Sequence, residues 1–381
     1  MGDERRSTTK DDFAVIHLCE ALASGIMKVV VPLANATASA GIPTVVIHGR
    51  RPETPQELAP MFESRVRLLD VPGWGQRSGY DGFASAVRAA ATLRRELARH
   101  ERGVLHMHST YAGLVGRLVP SAGWTRFYTP QGYAFLNDSH PRPVRLTVFA
   151  AEMLLARRAH VLACSLAEGA EAAEQLRSRA VSVVQNGLDM DALPSLAPEP
   201  NGRLVVASIG RVVYQRRPDL FAEVAALLHG EDARFVWLGD GPERSTLARA
   251  GVSVSGWLSQ EEVVSAMLGA NVIVHFSAFE GLPLALLEAM TTGRAIVASD
   301  LPVIREVVAD TAILVRTPTE AADAIRKLSG DEARRRELGV RARDRVRRLY
   351  TKDAMVGRTL AAYGLGDLTD AAAAPERAPR P

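Results

Sequence analysis

The stretch NVIVHFSAFEGLPLALLEAMTTGRAIVAS, residues 271–299, decides the fold class. Its first eight residues are apolar and rich in β-branched side chains, which predicts a buried strand. Gly281 marks a tight turn where backbone can come close to a ligand. Pro283 suits the first turn of a helix, where a missing N–H does no harm. A helix over 284–292 follows, Gly293 ends it, and AIVAS at 295–299 reads as the next strand. Between Gly281 and Gly293 the only charged residue is Glu288. It shares a face with Leu284 on a helix whose composition says that it is buried, and a buried carboxylate needs partners. Glu280 sits in the loop at the carboxyl end of the strand, where parallel sheets bind ligands. Glutamates are ordinarily solvated; the apolar helix and the loop position make this pair functional candidates.

Outward from this unit, the same rhythm runs in both halves of the chain. Strands are expected at 13–20, 44–50, 66–70, 104–109, 126–129, 160–165 and 181–185, then at 204–209, 234–238, 252–255, 271–278, 295–299 and 312–315. Helices are expected at 26–40, 82–102, 111–119, 142–158 and 166–177, then at 218–229, 243–250, 260–267, 284–292, 319–328 and 331–349. Alternation of this kind predicts α/β architecture: two doubly wound, parallel-sheet, Rossmann-like domains facing a central cleft. The Pro-rich, polar segment 192–203 reads as the linker. The first domain is expected over 1–195 and the second over 196–352. A helix within 353–366 is expected to cross back onto the first domain, and 367–381 is expected to be disordered.

At 381 residues the chain is too long for one ordinary core. It is 47% hydrophobic and 23% charged, the composition of a globular protein, with no apolar run long enough to span a bilayer. The polar start MGDERRSTTKDD argues against a secretory signal, so a cytoplasmic location is expected. Cys19 and Cys164 lie in apolar runs and read as core residues in a reducing compartment, neither a disulfide nor a metal pair. A net charge of +3 is no nucleic-acid footprint. The excess lies wholly in the first half, which leaves a weak attraction to an anionic membrane surface open.

The second half opens with VVASIGRVVYQRRPDLF, residues 205–221. Arg211 follows a strand end, and Arg216 precedes a helix begun by Pro218. Two such arginines can clamp a diphosphate through bidentate, permanently charged contacts. Gly241 in GDGP and Gly256 in SGW lie in turns after strands, where a nucleotide can be lined. Trp257 reads as a packing residue rather than a base stacker. In the first half, Ala23-Ser24-Gly25 precedes a helix and forms a ready anion site. No GxGxxG, P-loop, HExxH or CxxC occurs. His106 and His108 alternate on one face of a strand, with no third metal ligand evident; His108, nearer the strand end, is the one expected to face the cleft.

Taken in order, these pieces resemble the family-4, GT-B-fold, retaining glycosyltransferases, and especially those that build bacterial surface polysaccharides. GR at 210–211, RRPDL at 216–220, GDGP at 239–242 and EGLPLALLEAMTTGRAIVAS at 280–299 carry the resemblance. HLCEALASGIMKVVVPLANATASAGIPTVVI, HSTYAGLVGR, YTPQGYAF and VVQNGLD extend it through the first half. The resemblance implies that Glu280 contacts donor-sugar hydroxyls and Glu288 the ribose. It implies that Arg211 and Arg216 bind the diphosphate. Backbone at Gly281, Leu282 and Leu284 then approaches the phosphates, beside the positive end of the helix. It also implies metal-free chemistry with no cofactor, because the cations neutralise the leaving group.

Three departures stand out. Gln131 occupies TPQG where T-x-H-G is usual, and it cannot titrate. Pro283 has no N–H where many members have glycine. Gly25 stands where two glycines are usual. His108 and Gln131 are the acceptor-side candidates, with the loop GWGQRSGYDG at 73–82. The expected partners are a nucleotide-diphosphate sugar, UDP favoured over GDP, and an acceptor hydroxyl, with a lipid-linked acceptor on the inner membrane face preferred. A soluble natural-product acceptor and a non-catalytic nucleotide-sugar-binding role stay open.

Overall fold

The computed structural model describes residues 13–76 and 79–366. The expected tail at 367–381, the first twelve residues and part of the 73–82 loop lie outside them. Seven strands form the first sheet: β1 (Phe13–Cys19), β2 (Thr44–His48), β3 (Val66–Asp70), β4 (Arg102–His108), β5 (Trp124–Thr129), β6 (His160–Ala163) and β7 (Val181–Val183). Six form the second: β8 (Leu204–Ile209), β9 (Ala233–Leu238), β10 (Ser253–Val254), β11 (Val272–His275), β12 (Ala295–Ser299) and β13 (Ile313–Val315). Every pairing is parallel, in the orders β3-β2-β1-β4-β5-β6-β7 and β10-β9-β8-β11-β12-β13. Strand order therefore reverses between β1 and β4, and again between β8 and β11. A crevice opens at the carboxyl ends of the strands at each such point.

The helices of the first half are α1 (Ser24–Ser39), α2 (Gly79–Leu97), α3 (Thr110–Leu118), α4 (Arg142–Leu155) and α5 (Leu166–Ala170). Those of the second are α6 (Pro218–Leu227), α7 (Arg244–Arg249), α8 (Gln260–Leu268), α9 (Leu284–Thr291), α10 (Pro302–Val308), α11 (Pro318–Ser329), α12 (Glu332–Leu349) and α13 (Lys352–Ala362). The central strands are buried on both faces, as their continuous apolar runs require, while the outer strands β3, β7 and β10 are partly exposed. Val15, Ile16 and Leu18 in β1 and Val272, Ile273 and Val274 in β11 are fully covered. Each such side chain contributes about 1.5–3 kcal/mol relative to exposure. α13 lies against α1, and Lys352 Nζ reaches Asp189 at 2.6 Å.

Four expectations need correction. α10 was not foreseen: its β-branched Val303, Ile304, Val307 and Val308 favour a strand locally, but all four are buried on a helix that Pro302 starts. α2 stops at Leu97 because Arg102 begins β4. The helix expected over 166–177 passes from α5 into a π-turn at Glu171–Gln175. Strand β11 ends at His275, five residues before the loop glutamate, so 276–279 leaves the strand, held by Ser277 N on Ser299 Oγ and Ala278 N on Gln215 O.

Candidate active site

Glu280 follows β11 and Arg211 follows β8, so both stand at the second switch point. The Glu280 side chain is 5% exposed and ion-paired with Arg216 Nη1. It also accepts from Ser277 Oγ at 2.6 Å and Gln215 Nε2 at 3.4 Å, with His275 Nε2 3.5 Å away. Burial alone would raise this carboxyl. Arg216, His275 and Ser277 outweigh burial and hold it below the usual carboxylate range. Arg216 adds contacts to Ser277 Oγ and His275 Nε2, each 3.2 Å. A charged carboxylate and a guanidinium are thus fixed at the mouth of the crevice. Arg211 is engaged elsewhere: its Nε lies 3.0 Å from Glu53 Oε1 of the first half. The two arginines expected to form one clamp are held by different carboxylates.

Glu288 is half-buried on α9 and its partner comes from the opposite half. Lys28 of α1 donates to Glu288 Oε1 and, at 3.1 Å, to Gln260 Oε1. Gln260 Nε2 reaches the same Glu288 oxygen at 3.5 Å. The first turns of α1 and α9 meet one turn earlier, where a Cβ on Gly25 would lie 3.4 Å from Leu284 Cδ1. Gly281 admits no side chain, because a Cβ there would stand 2.5 Å from Gly132 N and 2.6 Å from Gln131 C. Leu282 and Leu284 are buried, and as the first residue of α9 Leu284 has no helical carbonyl for its N–H. Gly241 and Gly256 end up packing turns together: a Cβ on Gly241 would meet Val212 O at 2.4 Å, and Gly256 bridges Gly239. Trp257 is not a packing residue; it is 60% exposed beside them.

Gln131 adopts φ +60°, unusual for a residue with a side chain. Its Oε1 accepts from Asn186 Nδ2 at 3.3 Å, while its buried Nε2 has no hydrogen-bond partner. A left-handed backbone and an unpartnered donor thus stand together beside the Glu280 loop. Glu168, unnoticed in the sequence, anchors this loop: it accepts from Gly132 N at 2.6 Å and Cys164 N at 2.8 Å. Its legible signal was the Ser165-x-x-Glu168 helix start, although the carboxylate turns away to Gly132 rather than closing that cap. Lys28 carried no local signal; its role depends on the approach of two helices 260 residues apart in sequence.

His108 does not open onto the cleft. It is fully buried and joins His106 and, from β1, His17, whose donor atoms all lie within 4.8 Å. The third imidazole missing from the sequence reading is therefore His17, brought in by the pairing of His17 with His106. His17 Nδ1 lies 3.2 Å from His108 Nε2, and His106 bonds Tyr363 OH and Thr129 Oγ1 at 2.5 and 2.8 Å. Among the described residues, this is the group whose geometry suits a metal ion. Burial holds all three imidazoles neutral, with His17 lowered to about 3. Folded pKa values lie below the unfolded value of 6.5, so the unfolded chain binds more protons below it. For His17, stability is then full above pH 6.5 and falls as pH drops toward 3, by about 1.4 kcal/mol per pH unit; His106 and His108 act in the same direction. The melting temperature should drop on going from about pH 7 to about pH 5, and less steeply in His17→Gln. An equal slope in the variant would remove His17 from this account.

Two parallel α/β sheets with facing crevices, a carboxylate–guanidinium pair in one and a strained amide loop in the other, define the GT-B class of fold. The family described as "Glycosyl transferases group 1" matches residues 191–345, and "Glycosyltransferase Family 4" matches residues 23–192. The chain belongs to glycosyltransferase family 4. It is 33% identical over 155 residues to alpha-D-kanosaminyltransferase of Streptomyces kanamyceticus, covering 37% of this chain and 40% of that one. It is 24% identical over 246 residues to the UDP-Gal:alpha-D-GlcNAc-diphosphoundecaprenol alpha-1,3-galactosyltransferase of Escherichia coli, covering 56% and 62%. The chain thus spans about half the length of these curated relatives. Sucrose-phosphate synthase from Thermosynechococcus elongatus superposes with a TM-score of 0.78 at 20% identity, over 94% of this chain and all of that one, which establishes the shared fold.

Proposed function

We propose that this chain is a retaining glycosyltransferase that moves a sugar from a UDP-sugar to an acceptor hydroxyl without a metal ion. The observation that carries this reading is the pairing of buried Glu280 with Arg216 at the switch point, facing the Gln131–Gly132 loop. Glu280 takes hydroxyls of the donor sugar. Arg216 and Arg211 turn to the diphosphate as it departs, and the unpaired amides at the start of α9 add a positive end. The acceptor oxygen attacks the anomeric carbon from the face that the nucleotide leaves. The bond from that carbon to the phosphate oxygen breaks, and the departing phosphate takes the acceptor's proton. No protein base is then needed, which suits a glutamine at position 131. Glu288 holds the ribose through Oε2, since Lys28 and Gln260 both use Oε1.

The name of the Escherichia coli relative, which moves galactose from UDP-Gal to GlcNAc-diphosphoundecaprenol, supports a UDP-linked donor and a lipid-diphosphate acceptor; surface-polysaccharide assembly at the inner membrane face completes this reading. The name of a further relative, the 2-deoxystreptamine N-acetyl-D-glucosaminyltransferase of Streptomyces fradiae, favours the second reading, a soluble natural-product acceptor. The described residues contain no helix long and apolar enough to cross a membrane.

Thermal unfolding with UDP, GDP, dTDP and ADP tests the donor site. UDP at about 100 times its dissociation constant should stabilise by about 2.7 kcal/mol. In a chain of this size that raises Tm by several degrees. A selective shift with GDP would replace the donor class, and no shift with any nucleotide would favour a non-catalytic role. Transfer from a UDP-sugar that persists in excess chelator supports metal independence; loss of transfer that a divalent ion restores would refute it.

A further inference from the structure

We infer that α4 is a docking surface for an anionic lipid bilayer. A solvent-facing helix stripe is normally polar. On α4 the stripe is Leu146, Thr147, Ala150, Met153 and Leu154, all exposed, with Leu146 at 57% and Leu154 at 77%. The one acidic residue of the helix, Glu152, is buried and paired with Arg117 at 2.8 Å. The exposed stripe therefore carries no negative charge, and nothing among the described residues covers it.

Arginines flank both ends. At the start of α4, Arg142 and Arg145 line a hollow of about 260 Å³ with Leu146 and Phe149. Just past its end, Arg157 and Arg158 line a second hollow of about 370 Å³, joined there by Arg126 and Arg179. None of the six has a carboxylate partner among the described residues, whereas Arg50, Arg51, Arg67 and Arg117 of the same half all do.

An apolar stripe bordered by unpaired arginines matches an interfacial helix. The stripe enters the acyl boundary while the guanidinium groups meet lipid phosphates. A second copy of this chain fits less well, because a twofold contact would set arginine against arginine. The inference goes beyond transfer chemistry and is measured without turnover, so its failure and that of the transferase reading are separable.

The full chain is sedimented with sucrose-loaded vesicles of phosphatidylcholine alone and of phosphatidylcholine with phosphatidylglycerol. Binding is expected with the anionic vesicles only, and it should weaken as salt is raised. Arg157→Gln/Arg158→Gln should lower the partition coefficient about fivefold per arginine. Leu146→Gln/Leu154→Gln should lower it at least tenfold, in proteins whose circular-dichroism melts match the parent. No binding, equal binding to neutral vesicles, or variants that bind like the parent would each overturn the assignment. A concentration-dependent doubling of mass that the leucine variant abolishes would assign the face to a second copy instead.

Discussion

Glu280→Gln should reduce transfer by about two to three orders of magnitude while leaving UDP affinity within a few-fold of the parent. The substitution keeps the volume and removes the charge. In the parent, Glu280 accepts from Arg216, Ser277 and Gln215 at the end of a strand that carries it to the crevice. Its burial would neutralise an unpartnered carboxyl; the partners keep it charged, so it can stabilise positive charge developing on the sugar. The nucleotide is assigned to other groups, so its binding should persist. Turnover with a labelled UDP-sugar, alongside calorimetric titration with UDP, separates the two. A collapse of UDP affinity would move Glu280 from the sugar to the nucleotide. Glu280→Ala carries an added cost in stability, because it leaves the partly buried Arg216 without its counter-charge.

Glu288→Ala should weaken UDP binding by about 1–3 kcal/mol through lost charged hydrogen bonds. The structure adds a companion prediction. Lys28 crosses from α1 to hold Glu288 Oε1 together with Gln260, which leaves Oε2 for the ribose. Lys28→Met should then raise the donor KM several-fold with kcat little changed, since the carboxylate remains but is no longer fixed. Lys28→Arg should recover most of the loss. A KM unchanged in Lys28→Met, with Glu288→Ala impaired, would reduce Lys28 to a contact between the two halves. An unchanged dissociation constant in Glu288→Ala would rule out the ribose role.

Other contacts between the halves have the same character. Glu306 on α10 accepts from Leu166 N and Gln185 Nε2, each 2.8 Å away, and so braces the start of α5 from the facing half. Because α10 was not legible, this brace was not either. Gly281 was read as a turn that lets a ligand approach; its Cβ position is in fact filled by Gly132 and Gln131. The residue type was right, and the crowding that enforces it comes from the opposite loop.

Local chemistry by itself determined the strands, most helices and the candidate carboxylates. A run such as VIVH at Val272–His275 reads as buried, and a turn with Gly281 and Pro283 suits a helix start; both follow from side-chain shape and backbone freedom within a few residues. The loop position of Glu280 and the lone charge of Glu288 were legible for the same reason. Tertiary structure alone decided what each polar side chain meets: Arg216 for Glu280, Lys28 for Glu288, Glu53 for Arg211, and His17 for His108. Those partners are set by strand order and by the approach of two sheets, and pairing energy depends on distance and burial rather than on sequence spacing.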